Sequence, residues 1–267
     1  MSGRRDGTTK RSLDDALAMM RDLRARDPWD RAQTHDSLRP YLNEEMHELE
    51  DAIRSGNDAA MQSELGDVLL QVLFHSIIAE ERRAFDASDV AGSLVSKMTE
   101  RHPWLYGNAP ASEPWEEMKS RTRTSLSDGL PMGLPSLHRA HRLQERAAGV
   151  GFDWPDTRGP LEKVREELAE AEEELQELGA IPLTNGVPAA DPRHERLEEE
   201  LGDLLFAVVN LCRKTGVHAA LALDRANMKF QQRFERVEQV AAARGIDVRT
   251  AGLSALDAIW DEVKSSG

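Results

Sequence analysis

Acidic side chains stand three positions apart at two places in the second half of the sequence. One place holds Glu166, Glu167 and Glu170, and the other holds Glu200 and Asp203. Residues three or four apart share one face of a helix, so each group points its carboxylates in one direction. If the two helices pack antiparallel, Glu167 and Glu170 converge with Glu200 and Asp203. Grouped carboxylates repel one another, and a cation between them relieves that repulsion.

The chemistry that this group suggests is divalent-metal binding. No cysteine or histidine accompanies the four carboxylates, and a donor set of oxygen alone suits Mg²⁺, or Mn²⁺ as a second choice. The alternative is a solvated acidic surface, which is the commoner role of Glu-rich helices. We interpret four neighbouring residues in that way: Glu172, Glu173, Glu174 and Glu177.

The acidic pair at Glu200 and Asp203 is more informative because it interrupts an apolar run. That run is formed by Leu201, Leu204, Leu205 and Val208. Its spacing predicts a buried stripe with the acidic pair at its edge.

The same pattern occurs once before in the chain. The block 64–72 matches 200–208, and Glu44-Glu45-x-x-Glu48 matches Glu166-Glu167-x-x-Glu170. Weaker matches keep the same order: Trp29 with Trp154, Lys97-x-x-x-Arg101 with Lys229-x-x-x-Arg233, and Trp115 to Lys119 with Trp260 to Lys264. Internal self-similarity of this kind indicates two tandem copies of one unit. A metal set in the first copy is thereby predicted: Glu45, Glu48, Glu64 and Asp67.

The elements that position these residues are all predicted to be helices. Apolar residues recur every three to four positions, no stretch alternates in the manner of a strand, and aromatic residues make up only 5% of the chain. The periodicity predicts helices over 12–25, 38–55, 59–83, 90–100, 136–148, 161–178, 195–214, 219–244 and 256–264. We therefore expect an all-α protein built by tandem duplication of a helical bundle.

Composition shifts give the predicted domain limits. They are a tail at 1–11, a first domain at 12–122, a linker rich in Gly and Pro at 123–135, and a second domain at 136–267. The stretch 179–192 reads as a loop inserted in the second copy.

Charge and composition exclude several classes of protein. The net charge of −14 argues against a general nucleic-acid binder, because such binding needs cations to neutralise phosphates. The single cysteine, Cys212, excludes a disulfide framework, and we interpret it as a core residue. No apolar run is long enough to span a membrane, and no signal segment follows the N-terminal tail. We expect a cytoplasmic protein.

Cationic residues favour the second copy as the site that takes a polyphosphate. Lys163, Arg165 and Arg196 surround its acids, whereas the first copy has Tyr41, Asn43 and Ala60 at the corresponding positions. Further along the chain stand Lys229, Arg233 and Lys264, which are suited to phosphate oxygens. Each of these also has the simpler interpretation of an ordinary solvated charge.

Several residues keep two interpretations. Trp260 either stacks on a base or fills core, with core slightly favoured. Gly66 and Gly202, each inside a helix, indicate either close helix packing or room for a metal and substrate. Glu44-x-x-His47 resembles half of a di-iron ligand set, but Ala169 replaces the histidine in the second copy, so we expect His47 at the surface.

With these motifs, the chain resembles the MazG family of nucleoside triphosphate pyrophosphohydrolases in its two-domain bacterial form. The resemblance extends from Leu13 to Lys264. Besides the acidic motifs, it includes the segments 134–137 and 150–154 and the closing Trp260-x-x-x-Lys264. The family implies an all-α bundle that forms a homodimer, with active sites made partly at the dimer contact.

The resemblance also implies an activity and the residues that perform it. The reaction is Mg²⁺-dependent hydrolysis of a nucleoside triphosphate to the monophosphate and pyrophosphate, in broad housecleaning of the nucleotide pool. The implied catalytic residues are Glu166, Glu167, Glu170, Glu200 and Asp203, of which all but Glu166 hold metal. The implied substrate-binding residues are Lys163, Arg165, Glu166, Arg196, Glu199, Lys229, Arg233, Trp260 and Lys264.

Two alternative functions remain open from the sequence. One is a non-catalytic helical dimerisation or interaction module, in which the acidic helices are only surface. The other is a hydrolase restricted to a single noncanonical or deoxy nucleotide.

Overall fold

A computed structural model of the chain describes residues 11–108, 119, 123–178 and 192–265. The predicted tail and the predicted inserted loop fall, apart from their last residues, outside these ranges, as does Trp115. The chain divides into two compact units, Met1–Ser112 and Glu113–Gly267. The predicted domain limits and linker stay predictions, because the division falls where the structure is not described.

The first unit contains helices α1 to α6. Their bounds are Leu13–Arg26, Pro28–Ala32, His35–Ser55, Asp58–Glu81, Ala87–Arg101 and Pro103–Tyr106. The main contact joins α3 to α4 as a hairpin, with α1 packed on α4. Gly56 ends α3 in the left-handed conformation, with φ of 66°, which glycine adopts without strain and which lets the chain reverse at once.

A small apolar cluster holds the first unit together. Its buried members are Met20, Leu38, Leu73, Phe74, Ile77 and Ile78. They come from α1, α3 and the C-terminal half of α4. The opposite half of α4 carries the acidic residues, so the core lies at one end of the hairpin and the candidate site at the other.

The second unit contains helices α7 to α11. Their bounds are Ser136–Ala148, Arg158–Leu178, Pro192–Lys214, Ala219–Ala243 and Leu253–Ser265. The main contact joins α8 to α9, with α7 packed on α9 and α11 on α10. Arg146 of α7 donates hydrogen bonds to the carbonyls of Leu126 and Asp128, which fasten that part of the predicted linker to this unit.

The all-α class is confirmed, and the described residues contain no strand. The nine predicted helices are all present, with ends shifted by up to three residues. Two short helices were not predicted, α2 and α6, because each begins at a proline that reads as a helix stop in the sequence. Proline suits the first turn of a helix, where no backbone N–H partner is needed. For α2, Asp27 completes the start by accepting hydrogen bonds from two backbone N–H groups.

Among the described helices, none taken singly has the length and apolar character to cross a membrane, and α9 with α10, bent by 104°, passes that test only as a pair.

Candidate active site

Three carboxylates of the second unit meet at the contact between α8 and α9. Glu167 from α8 and Glu200 and Asp203 from α9 each place an oxygen within 4.8 Å of the other two. Glu167 is only 4% exposed, and its charged partner is Lys163 one turn earlier on α8. This trio can hold a cation, and its donor atoms are all carboxylate oxygens.

Glu170 stands beside this trio. Desolvation, a hydrogen bond with Glu167 and the charge of Glu200 together raise the pKa of Glu170 above its ordinary value. A carboxylate in that position gains from any cation that the trio binds, because the cation offsets the same repulsion. The structure therefore brings together three of the four residues that the sequence assigned to the metal, with Glu170 next to Glu167 at the exposed side.

The antiparallel pairing of α8 and α9 produces this convergence. Glu174 and Glu177, late in α8, pair with Arg196, early in α9, at 2.9 and 3.0 Å. Nearer the start of α8, Glu167 faces Asp203, which is further along α9. The reversed order shows that the two helices run in opposite directions, as the convergence requires.

Lys163 is the cation nearest to the acidic trio. Its Nζ lies 2.8 Å from Oε1 of Glu166 and 2.5 Å from Oε1 of Glu167. Hydrogen bonds to Glu166 and then to Glu167 raise the pKa of Lys163, so it stays protonated at neutral pH. One turn of α8 thus presents a fixed positive charge beside the carboxylates.

The other predicted substrate-binding residues are less clearly assembled. Arg165 and Glu199 are exposed, and Arg196 is paired with the two acids that we interpreted as surface. Lys229 and Arg233 of α10 make no hydrogen bond or ion pair within the part of the chain that the structure describes. Lys264 is exposed on α11. No described contact joins α10 or α11 to the acidic trio.

Trp260 packs as a core residue. It lies against the buried cluster of Val237, Ala241 and Ile259, and its ring centroid is 5.3 Å from that of Phe230. This packing agrees with the core interpretation, Trp260 is only partly buried, and base stacking by Trp260 stays a prediction.

The first unit repeats the acidic cluster with a different third member. Glu45, Glu48 and Glu64 place oxygens within 4.8 Å of one another. Desolvation and then the charges of Asp67 and the neighbouring glutamates raise the pKa of Glu45. Tyr41 stands where the second unit has Lys163, so no lysine offsets these charges from that position.

The predicted burial of the apolar stripe on α9 is wrong within the single chain. Leu201, Leu205 and Val208 are exposed by 42%, 60% and 38%, whereas Leu197 and Val209 are buried instead. The spacing identified a stripe correctly, but the described residues of the same unit leave it exposed.

Close helix packing does not explain Gly66 and Gly202. A Cβ atom placed at either position would meet no atom within 4 Å among the described residues. The other interpretation, that these glycines leave room for a metal or substrate, stays a prediction. His47 lies at the surface as expected, and Cys212 is half-buried.

Sequence reasoning missed the clamp that holds the segment ahead of α8. Arg213 and Lys214 at the end of α9 donate hydrogen bonds of 2.5 and 2.9 Å to Asp153. Burial alone would raise the pKa of Asp153, but these two cations more than offset it and lower the pKa to about 2. The signal in the sequence was a pair of cations closing an apolar helix.

Comparison with known proteins places the chain in a family. The family model of the MazG nucleotide pyrophosphohydrolase domain matches residues 33–106 and again 160–238. The two matched segments include the two acidic clusters and confirm the tandem repeat. The chain belongs to the MazG family and is thus an enzyme of the hydrolase class.

The names of individual relatives agree with this family. The chain is 40% identical to the nucleoside triphosphate pyrophosphohydrolase/pyrophosphatase MazG of Thermotoga maritima, over 94% of this chain and 95% of that protein. It is 38% identical to the nucleoside triphosphate pyrophosphohydrolase of Escherichia coli K12, over 94% and 97% of the two chains. A protein of the same name from Mycolicibacterium smegmatis is 44% identical over 52% of this chain and 47% of its own length.

Proposed function

We propose that the second unit hydrolyses nucleoside triphosphates to nucleoside monophosphate and pyrophosphate with the help of Mg²⁺. The observation that carries the proposal is the approach of Glu167, Glu200 and Asp203 to within 4.8 Å beside a protonated Lys163. Family membership supports the reaction class. Clearing the nucleotide pool with broad specificity, in the cytoplasm, is the role we infer.

The donor set fits the proposed metal. Glu167, Glu170, Glu200 and Asp203 offer only carboxylate oxygens, which hard divalent cations such as Mg²⁺ and Mn²⁺ prefer. When bound there, Mg²⁺ would neutralise phosphate charge and increase the acidity of a water molecule. The half-covered, mutually repelling acids gain most from such an ion.

The chain's own residues have separate roles in this mechanism. Lys163 donates to a phosphate oxygen and so orients the triphosphate along α8. Glu166 is exposed and hydrogen-bonded to Lys163, so its carboxylate is placed to accept a proton from the attacking water. Water oxygen bonds to the α-phosphorus, the bond from that phosphorus to the bridging oxygen breaks, and pyrophosphate departs with the electron pair.

Product analysis tests the reaction. Purified protein is incubated with ATP or dGTP and Mg²⁺ in ¹⁸O-water, and the products are identified by mass spectrometry. We expect monophosphate and pyrophosphate, with the label on the monophosphate. Nucleoside diphosphate and orthophosphate would refute the reaction, and label on pyrophosphate would move the attack to the β-phosphorus.

A substrate panel tests the breadth of specificity. Comparable kcat/KM for several ribo- and deoxynucleoside triphosphates supports a housecleaning role. A preference for one noncanonical or deoxy nucleotide by a factor of 100 or more would favour the restricted hydrolase instead.

Metal titration separates the enzyme from a non-catalytic interaction module. Mg²⁺ at millimolar concentration is expected to raise the melting temperature, since an ion that binds only the folded state stabilises it. The quadruple variant with Glu45, Glu167, Glu200 and Asp203 changed to neutral amides serves as the control and should lose the shift.

We also propose that the protein is a homodimer. Leu161, Leu168 and Leu175 on α8 and Leu201, Leu205 and Val208 on α9 form two apolar stripes, each 38% exposed or more. Size-exclusion chromatography with light scattering should give a dimer for the wild type, and Leu205→Glu should shift it to monomer.

A further inference from the structure

Trp154 lies in the segment just before α8, with its indole ring directly against the backbone of Gly159. A Cβ atom at Gly159 would lie 2.2 Å from Cε3 and 2.5 Å from Cδ2 of that ring. No side chain fits in that space, so the glycine is what lets the ring lie on the helix. The indole is still 44% exposed, so much of it remains open to a ligand.

The ring lies on the row of α8 that also carries Lys163 and Glu167. Gly159, Lys163 and Glu167 follow one another at intervals of four residues, which is about one helical turn each. Eight residues of helix place Gly159 and Glu167 ~12 Å apart along the axis. That separation is comparable to the distance between the base and the outer phosphates of an extended nucleoside triphosphate.

The segment that carries the ring is held at its other side. Asp153 accepts from Arg213 and Lys214 and from the backbone N–H of Trp154. The indole is thereby anchored between α8 and the end of α9 before any ligand arrives. A preordered aromatic face loses little conformational entropy when a planar group stacks on it.

The first unit lacks this arrangement. Trp29 has its ring edge-on to Tyr41, with centroids 6.0 Å apart and planes at 77°. Tyr41 takes the position of Lys163, and Ser37 takes the position of Gly159. The tryptophan recurs in both copies, but only in the second copy does its ring lie against a glycine, one helical turn from a lysine.

We propose that Trp154 is the stacking platform for the nucleobase of the substrate in the second unit, and that Gly159 positions it. The inference rests on the proposed function, because it needs a nucleotide whose phosphates lie at Lys163 and the acidic trio. Trp260, the other tryptophan considered for the base, is engaged with Phe230 and the buried cluster beside it. Every base has a flat aromatic face, so stacking of this kind tolerates different bases.

The test separates base contact from phosphate contact. Trp154→Leu should raise KM for a nucleoside triphosphate about 10-fold, consistent with the usual energy of one base stack. The same variant should leave unchanged the inhibition constant of tripolyphosphate, which has no base. Trp154→Phe should recover most of the loss, and Gly159→Ala should raise KM although the indole is still present.

The matched control is Trp29→Leu, which removes a tryptophan of similar exposure, 53% against 44%, from the first unit and should leave KM unchanged. Quenching of tryptophan fluorescence by an α,β-methylene nucleotide gives a second readout and should be lost in Trp154→Phe but kept in Trp29→Phe. Melting temperatures of all variants show whether each one folds.

Three results would overturn the inference. They are an unchanged nucleotide KM in folded Trp154→Leu, an equal rise in KM and in the tripolyphosphate constant, and quenching that survives in Trp154→Phe. The proposed function itself is tested on the wild type, which must release pyrophosphate before any variant is compared. Failure of the stacking inference and failure of the proposed function are therefore distinguishable.

Discussion

The two units carry the same carboxylates in opposite surroundings. In the first, Ile77 and Ile78 close the end of α4 as members of a buried apolar cluster. In the second, Arg213 and Lys214 occupy the corresponding positions of α9 and clamp Asp153. One copy thus uses this end of the hairpin as core, and the other uses it to fix the segment that carries Trp154.

The charges that surround the two acidic clusters also differ. Lys163 offsets the charge of Glu167, whereas desolvation and the charges of neighbouring acids raise the pKa of Glu45. The pKa of Glu170 in the second cluster is raised as well, so the difference between the clusters lies in Lys163 rather than in the acids. The acids repeated in both units therefore do not make two equal sites, and under the proposed function the neighbouring charges favour the second site for a polyphosphate.

The largest effect is expected from removing one carboxylate in each copy. Asp203→Asn should lower kcat/KM by about 100-fold or more, since a neutral amide cannot replace a charge aimed at the reacting centre. Asp67→Asn should change it less than about twofold. Release of pyrophosphate measures both variants, and the reverse ranking would assign catalysis to the first copy.

The clamp gives a prediction on stability. The side chain of Asp153 is 22% exposed, and its pKa falls from 3.8 to about 2 on folding. Asp153→Asn should therefore cost about 2 kcal/mol of unfolding free energy at pH 7. A carboxyl with a depressed pKa stabilises the fold above its unfolded pKa, so the difference should shrink as pH falls below 3.8 and vanish near pH 2.

Urea denaturation at several pH values measures this difference. The control is Asp156→Asn, which removes an exposed acid of the same segment and should leave the midpoint nearly unchanged. Equal loss in both variants would show that the clamp is no stronger than an ordinary surface pair.

Lys163 tests the charge difference between the clusters. Lys163→Met should raise KM for nucleoside triphosphate about 10-fold, because a charge-assisted hydrogen bond to phosphate is lost. Tyr41→Phe, at the corresponding position of the first copy, should leave KM unchanged. Initial rates over a range of substrate concentrations measure both, and equal effects would contradict the assignment of substrate to the second copy.

The smallest effect is expected at the paired glycines. Gly66→Ala and Gly202→Ala should each stabilise the protein by about 0.5 to 1 kcal/mol, because alanine favours the helix and the added methyl group meets open space. Only Gly202→Ala should lower turnover. Thermal melting and kinetics of the two variants decide whether the space beside Gly202 is used by a ligand.

The sequence by itself was sufficient for the all-α class, the tandem repeat and the three acids that converge in the second unit. These follow from local rules, because the spacing of residues along a helix determines which of them share a face. The pairing of Glu167 with Glu200 and Asp203 then needed only the assumption of an antiparallel hairpin.

Tertiary structure alone decided what surrounds those acids. The stripe of Leu201, Leu205 and Val208 is exposed, Arg196 pairs with Glu174 and Glu177, and Trp260 joins the core. The clamp on Asp153 and the contact of Trp154 with Gly159 were also invisible in the sequence. Each depends on the register between separate helices, and that register arises from packing of the whole unit rather than from the spacing within any one element.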